Sequence, residues 1–373
     1  MEDIRMTSTK ALYARLKPEL DAAFSGVMAN MGQEKGEEVA AFAQSIAQYL
    51  QVQYAWPCAN GADALQLALL TLQPPAGAEV ILPVFCHEAV ADRVVAAGLV
   101  PVFADVNAET FTLDPASVER KVTPATAAVV AVHLFGQCAP MQELMELAQK
   151  YKLWVLEDVT QALGARYVGA DGKEQKAGTM GHIGYTSFFP TKPAADAGEG
   201  GAAFTSDAEL AHRMKQITKD GMEGRYTFAS RLDSLQAAML EVKIRHLDEY
   251  NESRQEIARF YDNAFAETEL VQAPQRATYS SHTYQQYAIQ VSPSIRDGLR
   301  QHLSDNFIPN AIYYPQPLHL QEKYRALGYA PGNLPVAELL CQSVLSLPMH
   351  SELKEDQLTY ICQHVVNYVK QFS

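Results

Sequence analysis

Between about residues 54 and 205, short apolar runs alternate with stretches in which apolar positions recur at helical spacing. The runs AEVILP, VPVFADV, AAVVAVHLF, LWVLED, YTSFF and GAAFT are apolar throughout rather than at every second position. That pattern predicts strands buried on both faces. The stretches between them, such as the one from Glu88 and MQELMELAQKY, read as amphipathic helices. The expected fold is therefore α/β, a mostly parallel sheet sandwiched by helices. Ligands of such sheets collect beyond the carboxyl ends of the strands. Asp158, which closes LWVLED, and Ser187 to Lys192, which follow YTSFF, become candidates for one shared site.

The first 35 residues read as a helical arm, and residues 36–250 as a large α/β domain. Within the latter, SRLDSLQAAMLEVKIRHLDEYNESRQEIARFYDNAF predicts a long helical segment, able to bridge two parts of the molecule, that runs past residue 250. From about Pro274 short strands, TYQQYAIQV and NAIYYP, mix with helices, so residues 251–373 are expected to form a smaller C-terminal α/β domain. A chain of 373 residues accommodates this division and a sizeable core.

The formal charge of −13 argues against nucleic acid or an anionic membrane as a general partner, so an anionic ligand must be held by local groups. Five scattered cysteines without CxxC spacing indicate neither a metal site nor a disulfide framework. With no apolar leader and no run of about 18 apolar residues, a cytoplasmic protein is expected.

Three stretches carry candidate chemistry. In CANGADALQLALLTL, a turn at Asn60-Gly61 enters a helix whose free amides at Gly61 and Ala62 suit a phosphate, though an ordinary helix entry reads the same way. Asp158 sits at the tip of a buried strand, where a carboxylate is costly to desolvate unless it meets a cation. An arginine or the protonated ring nitrogen of a cofactor would serve. Lys192, in SFFPTKPAADAGEGG, is followed by small residues that permit close approach, as a Schiff-base lysine requires.

Together these elements resemble the DegT/DnrJ/EryC/StrS sugar aminotransferase family, which uses vitamin B6 to aminate nucleotide-linked keto sugars. The resemblance rests on the helix-start turn, EDVTQALGA, SFFPTK followed by GEGG, and RLDSLQAAMLEVKIRHLD, and extends over nearly the whole chain. It implies an aspartate-aminotransferase-type fold, with pyridoxal 5'-phosphate, and pyridoxamine phosphate as its alternate form, in the large domain of a homodimer. Lys192 would form the Schiff base and move protons, and Asp158 would face the pyridine nitrogen. Gln161 would lie beside the ring hydroxyl, and Ser187, Gly61 and Ala62 would hold the phosphate. His87 would stack on the cofactor, unless it is a plain strand-end histidine. Of AIYYPQPLHLQ, which resembles a substrate-side loop, Tyr313 and His319 are taken as substrate contacts, a packed corner being the other reading. The implied partners are a nucleotide-linked keto sugar and an amino-acid donor, glutamate by resemblance.

Some positions depart from the family pattern. Ala62 replaces a threonine, Ala229 stands where an asparagine commonly crosses to the other subunit's phosphate, and PAADA after the lysine is unusual. These changes leave open a non-catalytic sugar-nucleotide-binding or regulatory member. A pyridoxamine-dependent sugar dehydratase of the same fold lacks the lysine, so Lys192 argues against it. No GxxxxGK[ST] stretch precedes a helix, which speaks against phosphoryl transfer.

Overall fold

The computed structural model describes residues 3–7, 9–30, 36–189, 199–219 and 228–372. Its strands are β1 (Tyr54–Cys58), β2 (Glu79–Pro83), β3 (Val100–Ala104), β4 (Thr126–Val132), β5 (Trp154–Asp158), β6 (Arg166–Val168), β7 (Glu174–Lys176), β8 (Ile183–Ser187), β9 (Gly201–Thr205), β10 (Tyr287–Gln290) and β11 (Val344–Leu347). Seven of them form the central sheet in the order β1-β9-β8-β5-β4-β2-β3. The pairs from β8 through β5, β4 and β2 to β3 are parallel, and β9 runs antiparallel between β1 and β8. The carboxyl ends of β1, β2, β4, β5 and β8 and the start of β9 consequently share one edge.

Alternate residues of the central strands enter different cores. In β4, Ala128, Val130 and Val132 pack with the helix Gly61–Leu72, while Val129 and Ala131 pack with the helices Glu37–Leu50 and Met141–Tyr151. Both faces are covered, which is why these strands read as continuous apolar runs. β6 and β7 form a separate hairpin, and β10 and β11 a two-stranded antiparallel sheet with its own core of residues drawn mainly from 257–369.

Three local expectations change. The long helical segment is two helices, Ser234–Arg245 and Leu247–Phe265, parted at His246, whose backbone leaves the helical region. No glycine or proline marks this break. The His246 ring lies 3.0 Å from Glu19 on the N-terminal helix Thr9–Ala29, and Leu16 and Leu20 of that helix pack on Val242 and Tyr250 at either side of the break. NAIYYP is no strand: only Ala311 bridges, to Ser346. YAWPC and VLSL, short runs passed over in the sequence, are β1 and β11.

A buried carboxylate helps fasten the C-terminal part to the sheet. The helix Pro335–Ser343 has no capping side chain of its own. Asp105, just after β3, accepts the Val336 and Ala337 N–H bonds at 3.0 and 2.9 Å, and is itself buried. A carboxylate there satisfies orphan amides and opposes the positive helix end. Asp105→Ala is expected to lower the unfolding free energy by about 1–2 kcal/mol, read as a lower urea midpoint at unchanged slope; an unchanged midpoint would refute the capping role.

Candidate active site

A cavity of about 630 Å³ opens at the strand-end edge just described. Its walls bring together Gly61, Ala62, His87, Asp158, Gln161, Ser187 and Tyr313, seven of the nine site residues expected from sequence. Lys192 lies outside the described residues, as does the PAADA stretch; Phe189 and Glu199, which flank that segment, both line the cavity. His319 is not brought to the cavity. It is buried, with Nε2 3.1 Å from Glu338, and its ring meets Tyr329 edge to face. Glu338 also accepts the Gly332 and Leu334 amides, so His319 helps hold the turn before the helix Pro335–Ser343. Burial pushes its imidazole pKa down, against the opposing pull of Glu338.

β5 delivers two consecutive carboxylates, and the two-residue strand period sends them to opposite faces. Glu157 is fully buried, 3.0 Å from His133 Nε2, and it accepts the amides of Gly178, Met180 and Gly181. His133 Nδ1 accepts the Ala139 N–H at 2.8 Å, so Nε2 carries the ring proton and donates it to Glu157. Asp158, 8 % exposed, faces the cavity. Its oxygens accept from the Thr160 N–H and the Tyr185 hydroxyl, each at 2.9 Å, and both donors are neutral. Burial and the adjacent Asp158 raise the Tyr185 phenol well above its ordinary pKa, keeping it a donor.

The phosphate-like corner is built by close approach. Asn60 caps the helix Gly61–Leu72, accepting the Asp63 N–H at 2.8 Å, and Ala64 N–H reaches Asn60 O. The Gly61 and Ala62 amides precede these, where a helix start leaves donors without intrahelical partners. A side chain at Gly61 would collide with Ser187, its Cβ falling 2.8 Å from Ser187 Cα; one at Gly201 would fall 2.7 Å from Gly61 N. Ala62 contributes no hydroxyl. Beside Ala229, however, Ser230 donates to Asp63 at 2.7 Å and accepts the Ala59 N–H at 2.9 Å, tying the loop after residue 227 to this turn.

Gln161 stands between two walls. Its Oε1 accepts the Phe135 N–H and its Nε2 donates to the Tyr314 hydroxyl, both at 3.0 Å. Phe135 has φ 57°, and Gly136 beside it, at φ 104°, lies where a Cβ would meet Thr283 Oγ1 at 2.6 Å. This bent turn is thus wedged against the 283–285 loop, and Gln161 pins it. His87 is exposed at the cavity wall, with Nδ1 accepting the Ala89 N–H at 3.1 Å.

Sequence reasoning missed Arg93, Thr160, Tyr185 and Gln286, and set Tyr314 aside. Arg93 falls on the inward face of the helix Ala89–Ala96, Nη1 3.9 Å from Asp63, with no motif to mark it. Gln285-Gln286 did leave a trace, a polar pair directly before the apolar strand YAIQ.

This arrangement offers anion-binding amides, a hydroxyl and a desolvated carboxylate in one cleft. A sequence model of the DegT/DnrJ/EryC1/StrS aminotransferase family matches residues 15–366. A Geobacillus stearothermophilus protein named pleiotropic regulatory protein is 37 % identical, with all of both chains covered. The UDP-2-acetamido-2-deoxy-3-oxo-D-glucuronate aminotransferase of Pseudomonas aeruginosa is 34 % identical over 98 % of this chain and 100 % of its own. Among solved structures, S. venezuelae DesV in complex with a ketimine intermediate superposes with a TM-score of 0.92 at 34 % identity, over 99 % of each chain.

Gly61→Ala is expected to force Ser187 and the helix start apart, costing about 1–3 kcal/mol as other overpacked sites do. Thermal or urea unfolding measures this, and wild-type stability would show that the approach is looser than described.

Proposed function

Because the chain belongs to the DegT/DnrJ/EryC1/StrS aminotransferase family, we propose that it is a pyridoxal-phosphate-dependent transaminase that moves an amino group from glutamate to a nucleotide-linked keto sugar. The observation that carries this reading is Asp158, a buried carboxylate on the cavity wall bonded to neutral donors. A protonated ring nitrogen is the cation such a group requires.

The other residues fit the cofactor as well. The Gly61 and Ala62 amides, the positive helix end and the Ser187 hydroxyl suit its phosphate, and the Gln161 amide suits the ring hydroxyl. His87 offers a ring for the cofactor face. When bound, the cofactor supplies an electron sink for the carbon that gains or loses the amine. Asp158 would hold the nitrogen proton that makes the sink effective, and Lys192 would anchor the cofactor covalently and, once displaced by the incoming amine, would accept and return a proton as general base and acid. Tyr313 contacts the sugar. Residues 36–250 hold the cofactor, and residues 251–373 close the cavity over it.

A homodimer and a cytoplasmic setting belong to the same proposal. The first is supported by the family, the second by five buried cysteines with free thiols. A second reading, a regulatory family member, has support in the name of the Geobacillus stearothermophilus relative and in the missing hydroxyl at Ala62.

Purified protein mixed with pyridoxal phosphate is expected to show the visible absorption of a lysine-bound cofactor. Lys192→Ala should abolish it, and glutamate should bleach it in the wild type. A wild type without the band would sink the enzyme reading, whereas a band indifferent to glutamate would favour the regulatory one. Asp158→Asn should keep the band and lose turnover by orders of magnitude; near-normal turnover would contradict the role given to Asp158.

A further inference from the structure

Gln286 is buried, 9 % exposed, and lines the cavity. Its carboxamide oxygen has no hydrogen-bond partner among the described residues, and no other cavity-lining residue described here has an unmet buried side-chain oxygen or nitrogen. Leaving such an acceptor unmet costs about 1–3 kcal/mol, so its place on the wall of a ligand site calls for a donor from the ligand. The backbone at this residue is held in place. Its N–H reaches Phe135 O at 3.4 Å, and Tyr287, next in the chain, begins β10 in register with Leu347.

The neighbour of Gln286 completes the pattern. Tyr313 also lines the cavity, and its phenol, raised by burial and drawn the other way by the Gln286 side chain, stands beside that residue. The phenol proton remains free to be donated. One acceptor and one donor side by side are the complement of a hydroxyl, which both gives and takes a hydrogen bond. Neither group is charged, so the pair suits a sugar ring rather than the phosphates of a nucleotide. Its position is set by Phe135, bonded to both Gln286 and Gln161, and by Tyr314, bonded to Gln161 and close enough to Asp158 to feel its charge. These place the pair at the reacting end of the cavity.

We infer that Gln286, with Tyr313, is a specificity-determining residue that reads a sugar hydroxyl next to the reacting carbon. The inference rests on the transaminase reading above. Its test uses the cofactor-loaded enzyme and two amino sugars that differ in that hydroxyl, dTDP-3-amino-3,6-dideoxy-α-D-galactopyranose and its 3,4,6-trideoxy counterpart. The half-reaction of each is followed by the change in cofactor absorption, with L-glutamate as the control donor. In the wild type, kcat/KM should favour the hydroxyl-bearing sugar by roughly tenfold or more. In Gln286→Leu the ratio should fall to about one, while the visible absorption of the bound cofactor and an unchanged unfolding midpoint show that the variant is loaded and folded. Tyr313→Phe, which removes only the donor, should lower the same ratio and provides a second measurement should the leucine variant fail to fold. An unchanged ratio in the folded variants, or a wild type indifferent to the hydroxyl, overturns the inference. A wild type that reacts with glutamate and with neither sugar overturns the nucleotide-sugar reading itself, and the inference with it.

Discussion

The site depends on how a doubly covered strand disposes of two consecutive acids. Glu157 and Asp158 end β5, and the sheet above and below them is packed, so each carboxylate loses water. Glu157 is met in full by protein, through one imidazole and three amides. Those amides belong to the turn that enters β8, and holding that turn fixes where Tyr185 and Ser187 arrive. Asp158 is met only in part, by two neutral donors. A buried acid fully satisfied by protein is structural, whereas one left short of positive charge is a demand placed on a ligand.

The rest of the cleft serves the same end. Gly61 and Gly201 let the strands and the helix start close on Ser187, and any side chain there would hold them apart. Ser230 joins the loop after residue 227 to Asp63, which anchors this corner at a point where Ala62 and Ala229 supply no polar side chain. That corner accordingly offers backbone amides in fixed geometry more than side-chain hydroxyls.

Much of this was legible in the sequence, for identifiable reasons. Strands buried on both faces leave unbroken apolar runs, and the carboxyl-end rule then puts Asp158 and Ser187 together. The break at His246 was invisible because it rests on Glu19 and on packing by Leu16 and Leu20, more than 200 positions away in the chain, without a glycine or proline. His319 resembled a site residue because it follows YYP, yet the local chain turns its ring toward Glu338 and Tyr329. Arg93 reaches the cavity only through tertiary placement, since a single polar residue on a helix carries no periodic signal.

The Gln161–Tyr314 bond spans 153 positions, and the Asp105–Ala337 bond 232. Read in the order in which a ribosome releases the chain, Asp158 and Gln161 emerge long before the residues that will wall them in. Such distant contacts form late, after the entropy of closing long loops has been met. Asp158 meets its own donors, Thr160 and Tyr185, within 27 positions, well before the wall that Tyr314 supplies. The enclosed cavity therefore belongs to the finished polypeptide, although the acid at its base is set in place earlier.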